Sequence, residues 1–73
     1  MNREQFLEEF KKAIQTEENI TLKSSLLDIE EWDSLGMMAT IALLDNIFNI
    51  KYTITDMQNM DTVEDLLKNT GLW

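Results

Sequence analysis

Residues 33–49 read DSLGMMATIALLDNIFN, and this stretch decides the fold. Leu35, Met38, Ile41, Ala42, Leu44 and Phe48 give a helical core stripe. Met37, Ala39 and Leu43 make the rest of its first half apolar as well. A helix apolar nearly all round is either central to its fold or presents an adhesive outer face. Asp33 and Ser34 are both good N-cap residues, so the helix is expected to start at one of them and run to about Asn49. Gly36 in its first turn costs up to about 1 kcal/mol relative to alanine. Met38 and Ile41 are expected in the core. Met37 is expected to face outward and to be the leading partner contact.

Before this helix comes a long connection, about Glu17 to Asp33. Ile20, Leu22, Leu26, Leu27 and Ile29 should hold it on the core, with a short turn starting at Ser24 or Ser25. A connection of this length is usually functional. It ends in Asp28, Glu30, Glu31 and Asp33. Trp32 within it is expected to pack under the loop, since an indole is a large apolar group.

Ahead of the connection, Phe6, Leu7, Phe10, Ala13 and Ile14 form one helical stripe. Asn2 and Gln5 fit a capping box at its start. The helix is expected to end near Gln15 or Thr16, with Glu8 and Lys12 as an i,i+4 pair.

After the central helix, Tyr52 to Ile54 has no partner strand and reads as extended loop. Thr55 and Gln58 fit a capping box for a one-turn helix. Asp61 or Thr62 then caps a last helix carrying Val63, Leu66 and Leu67. Lys68 sits in its last turn and Gly71 just past its end. Trp73, at the terminus, is expected to fray. The expected fold is all-α: a small four-helix bundle, three longer helices plus one short, with a long first loop. The whole chain, 1–73, reads as a single domain.

Composition narrows the function. The chain has no His and no Cys, which removes histidine acid–base chemistry, cysteine nucleophiles, disulfides and Cys/His zinc sites. The net charge of −8, from 14 acids against 6 bases, argues against nucleic acid and anionic membranes. It favours partners with basic patches. The N-terminal stretch lacks an apolar signal core, and the uncharged run Leu35 to Leu44 is too short to span a bilayer. A cytoplasmic monomer is the expectation. Asp28, Glu30 and Asp33 do not make an EF-hand, because Trp32 stands where a ligand is needed and the glycine is missing.

Ser34 is the residue that stands out. At a helix N-terminus it is either a plain cap or the carrier of a negative group favoured by nearby backbone N–H groups. As a catalytic serine it lacks a base. The surrounding stretch Glu31-Trp32-Asp33-Ser34-Leu35, followed by an apolar helix, resembles the acyl carrier protein family. Leu44, Phe48 and Ile50 match that family's apolar positions downstream. Asp61-Thr62-Val63-Glu64-Asp65-Leu66 resembles the opening of its last helix. The resemblance covers essentially the whole chain.

The resemblance implies that Ser34 carries 4'-phosphopantetheine, attached by a phosphopantetheinyl transferase, and that Asp33 helps place the transferase's metal and substrate. Asp33 serves equally well as a plain N-cap. The chain itself would not be an enzyme. Its partners would be a loading ligase for acyl or aminoacyl groups and an acyltransferase, each with a basic docking patch. Leu35, Met37, Met38, Glu30 and Glu31 would make the contacts. In this family acyl chains slip between the helices, which would make Leu44, Ile54, Met57, Met60, Val63 and Leu66 lining residues; an ordinary filled core fits them equally.

The departures matter too. Where fatty-acid carriers show acids after the motif, this chain has Gly36, Met37, Met38, Ala39 and Thr40, and only Asp45 is acidic in the helix. That pattern favours a specialised pathway, such as polysaccharide, acyl-sugar or secondary metabolite synthesis, over housekeeping fatty acid synthesis. The remaining alternative is a small acidic helical adaptor with no covalent cofactor, docking through its methionine face.

Overall fold

The computed structural model describes residues 1–72. The expectation for Trp73 lies outside the described residues. Asn2 caps the first helix: its side chain accepts from the Gln5 N–H at 2.8 Å, and the Gln5 side chain accepts from the Asn2 N–H at 2.9 Å. This helix, α1, spans Arg3–Ile14 and ends where Gln15 turns left-handed. It buries Phe6, Phe10 and Ile14. The ion pair on its outer face joins Glu9 to Lys12, not Glu8 to Lys12 as expected.

The long connection lies on the core. Ile20, Leu26 and Ile29 are buried in it, and Leu26–Asp28 forms a 3-10 turn. Backbone hydrogen bonds stitch it to the last element: Leu26 N–H to Asp61 O, Val63 N–H to Ser24 O, and Glu64 N–H to Leu22 O. Leu27 departs from expectation. It is 83% exposed, because a 3-10 turn of three residues directs only part of its side chains inward.

Helix α2 spans Ser34–Phe48, with Asp33 as N-cap and Asn49 left-handed at its end. It packs against both α1 and a short helix α3, Ile54–Gln58. The reading of its faces needs correction. Its buried residues are Gly36, Thr40 and Leu44, a row at four-residue steps. Leu35 and Met38, expected on the core stripe, are 78% and 58% exposed. Met37, expected outward, packs half-buried against the core. The cause is the near-uniform apolarity of α2: with so little polar contrast around it, its neighbours set its rotation. Thr40 is tolerated inside because its hydroxyl donates to the Gly36 carbonyl at 2.8 Å.

The box that starts α3 is Thr53 with Asp56, two residues earlier than Thr55 with Gln58. The last helix is also shorter than expected. Val63–Leu67 is a 3-10 helix opened by a Thr62–Asp65 capping box, and it buries Val63, Leu66 and Leu67. The described architecture is therefore all-α, with three α-helices and two 3-10 segments. None of these helices is long and apolar enough to cross a membrane.

Candidate functional site at the start of α2

Three anchors fix the segment ahead of Ser34. Trp32 is tucked in, its ring 5.9 Å from that of Phe10. Its N–H donates to Ile29 O at 3.0 Å, and the Asp33 N–H donates to Glu31 O at 2.9 Å. Asp33 then starts the helix: its carboxylate accepts from the Gly36 N–H at 2.9 Å, and its carbonyl from the Met37 N–H at 2.8 Å. The N-cap role of Asp33 is thus a matter of geometry.

Ser34 follows as the first residue of α2, exposed and with its hydroxyl free of hydrogen bonds among the described residues. The first N–H groups of a helix have no acceptor within it, so this end favours negative charge. Beside the serine, Leu35 and Met38 stand out into solvent, one turn apart on α2. Glu30 is exposed, whereas Glu31 is partly buried. Of the expected contact residues, the structure therefore keeps Leu35, Met38 and Glu30 at the surface and turns Met37 inward.

A cleft of about 340 Å³ opens next to Ser34, between the end of α1 and the first turns of α2. Ile14, Gln15, Glu31, Asp33, Leu35 and Gly36 line it. The expected interior lining is different in kind: Leu44, Met57, Val63 and Leu66 are fully buried in packed core, and Ile54 lies at the surface.

Comparison with known proteins does not assign this site: no family model, no curated protein and no solved structure matches the chain.

Two features of the site were not anticipated from the sequence. One is the approach of Gly36 to the Glu31 backbone, where an added Cβ would collide with the Glu31 carbonyl. The other is Glu18. The pKa of Glu18 is raised above 4.5, first by the Glu31 carboxyl, then by partial desolvation and by repulsion from Glu31. The acidic run before the motif signals charge, but nothing in it signals the partner across the loop. Among the described residues, no group of three or more potential ligands is placed to hold a metal ion.

Proposed function

We propose that this chain is an acyl carrier protein, with Ser34 as the attachment point for 4'-phosphopantetheine. The observation that carries the reading is the exposed, unengaged Ser34 hydroxyl at the open end of a 15-residue helix, directly after an N-cap aspartate. The fit is physical. The hydroxyl is accessible to a transferase, and a phosphodiester there would meet the positive end of the helix dipole, an effect worth about 0.3–1 kcal/mol at the surface. Asp33 leaves its cap only at a cost of about 1 kcal/mol, so it stays in place beside the serine. In this reading Val63–Leu67 stands as the fourth helix of a small bundle.

The bound group would supply the thiol that this chain lacks, and acyl or aminoacyl groups would ride on it as thioesters. The chain's own residues would do the recognising. Leu35 and Met38 offer an exposed apolar contact, and Asp28, Glu30 and Asp33 in the preceding segment are exposed acids, which suits an enzyme surface that pairs an apolar pocket with basic groups. Such partners are the phosphopantetheinyl transferase, a loading ligase and an acyltransferase. Asp45, the one acid within α2, is paired with Lys51. That leaves the acidic docking charge to the preceding loop and favours a specialised pathway over housekeeping fatty acid synthesis. Cytoplasmic placement belongs to the same reading, since coenzyme A is the donor of the group.

Intact mass tests this directly. After incubation with coenzyme A, magnesium and a broad-specificity phosphopantetheinyl transferase, the native chain should gain one phosphopantetheine and Ser34→Ala none. No gain by a folded chain beside an active control rejects the carrier. The exposed Leu27, Leu35 and Met38 would then mark a helical adaptor whose serine is only a helix residue.

A further inference from the structure

The cleft of about 340 Å³ beside Ser34 does not stand alone. A second cleft, of about 740 Å³, continues from it along α2. Ala13 of α1 and Ala39 of α2 line both, so the two form one surface groove between these helices. Either volume lies within the range of about 300–1,000 Å³ typical of small-molecule sites. One end of the groove lies at Asp33 and Leu35, the residues on either side of Ser34. The other lies at Asp45 and Asn46. At about 1.5 Å per residue, the path along α2 from Asp33 to Asp45 is about 18 Å long. The wall near Ser34 includes a carboxylate short of partners. Glu31 lines the groove, and its Oε1 is closed off from solvent with no hydrogen-bond partner among the described residues. An acceptor in that state favours a ligand that brings a donor. Leu44, Met57, Val63 and Leu66, by contrast, are fully buried in packed core.

We infer that this groove between α1 and α2 is the resting site of the phosphopantetheine arm, outside the core. The inference rests on the carrier reading of Ser34 and adds to it the place where the arm lies. Length agrees. Roughly 13 bonds separate the phosphorus of the arm from its sulfur, and an extended chain advances about 1.2 Å per bond, so the arm spans about 15 Å. Laid along α2 from Ser34, it ends within the groove, short of Asp45. Chemistry agrees as well. The gem-dimethyl carbon, close to the phosphate, finds an apolar wall in Ala13, Leu35 and Ala39. A hydroxyl and two amide N–H groups come next along the arm. Glu31 and Gln15, at the same end of the groove, offer acceptors to them. The arm is neutral beyond its phosphate, so the acids along the groove do not repel it. The phosphate itself stays at the start of α2, where the helix dipole favours it.

Intact mass comes first, so that the two readings fail separately. A chain that takes up no phosphopantetheine loses the carrier, and this site with it. NMR of the modified chain, with the arm carbon-13 labelled from coenzyme A, then reads where the arm lies. Its gem-dimethyl and amide protons should show NOEs to the methyls of Ala13 and Ala39. Those two methyls should shift on modification, while Met57 and Leu66 hold still. Ala39→Leu fills the groove at a residue that both clefts share, and leucine ranks next to alanine as a helix former. In that variant, modified likewise, the NOEs should vanish and the gem-dimethyl lines should narrow toward those of free pantetheine. A modified native chain whose arm is as mobile as free pantetheine overturns the groove. So do shifts centred on Met57 and Leu66, which would put the arm in the core, and NOEs that Ala39→Leu leaves unmoved.

Discussion

The carbonyl oxygen of Glu31 occupies the space that a side chain on Gly36 would need. A Cβ built there would come well inside 3.0 Å of that oxygen, with the Ile14 Cγ2 methyl at 3.6 Å. Helix propensity alone favours alanine over glycine in a helix by about 1 kcal/mol. Here sterics oppose propensity, and the obstacle is backbone, which cannot swing aside. Gly36→Ala should therefore destabilise by roughly 1–3 kcal/mol, the usual cost of overpacking. Urea unfolding of the two chains checks it. A variant as stable as the native chain would mean that the segment before Ser34 yields freely.

The two methionines at the start of α2 should separate cleanly. Met37 packs against the core and Met38 is mostly in solvent. Met37→Ala should lose about 1–3 kcal/mol of stability, less than a fully buried site would. Met38→Ala should stay within about 0.5 kcal/mol of the native chain. If the carrier reading is right, Met38→Ala should instead slow modification by the transferase, as should Leu35→Ser. Equal melting losses for both methionine variants would show that the rotation assigned to α2 is wrong.

What the sequence disclosed, and what it hid, follows from where the information sits. The caps of α1 and α2 were legible because Asn2 with Gln5, and Asp33, act within one turn of their own helix. The all-α class followed from stripe spacing. The rotation of α2 was not legible, since Leu35, Met37 and Met38 are alike in polarity and only contact with α1 and α3 distinguishes them. The 3-10 form of Val63–Leu67 was hidden for a related reason. Its apolar spacing suits either helix type, and its hydrogen bonds to Leu22 and Ser24 come from a loop distant in sequence. At the site, Ser34 could be picked out by its neighbours. The influence of Glu31 on Glu18 depends on how the long loop folds back.

Asp65 should govern part of the acid behaviour. Its carboxylate accepts from the Thr62 and Asp61 N–H groups, each at 2.9 Å, and pairs with Lys68 at 2.9 Å. The Thr62 N–H first, then Lys68, hold its pKa down at about 2, against an ordinary 3.8. A carboxyl whose folded pKa is depressed stabilises above its unfolded pKa and loses that contribution as pH falls through the folded one. Asp65→Asn should cost roughly 0.5–2 kcal/mol at neutral pH, as cap losses do. The gap to the native chain should narrow between about pH 4 and pH 2. Melting curves across that window decide it; a gap independent of pH would show that the charge on Asp65 plays no part.

Salt should raise the melting temperature. The net charge is −8 on 73 residues, so the folded chain repels itself at close range. Moderate salt screens charges more than about 10 Å apart, and divalent cations screen them better. Calorimetry at low and moderate salt, with and without magnesium, reads the effect. A melting temperature that stays flat or falls would mean that self-repulsion is already offset by pairs such as Asp45–Lys51 and Asp65–Lys68.

The opposite sign of pH dependence is expected at Glu18. Its folded pKa is raised above 4.5, chiefly through Glu31. A glutamate with a raised folded pKa binds its proton more tightly in the native state than in the unfolded one. Its contribution is therefore fully present below the ordinary value and is lost as pH rises through the raised one. Asp65 works the other way, so the two groups bend the stability profile from opposite sides. Glu31→Gln removes the charge that repels Glu18 and puts an amide in its place. The variant should melt above the native chain at pH 7, and the difference should shrink as pH falls toward 4.5. Paired melts at the two pH values suffice. A variant less stable at neutral pH would mean that the Glu31 charge stabilises the loop.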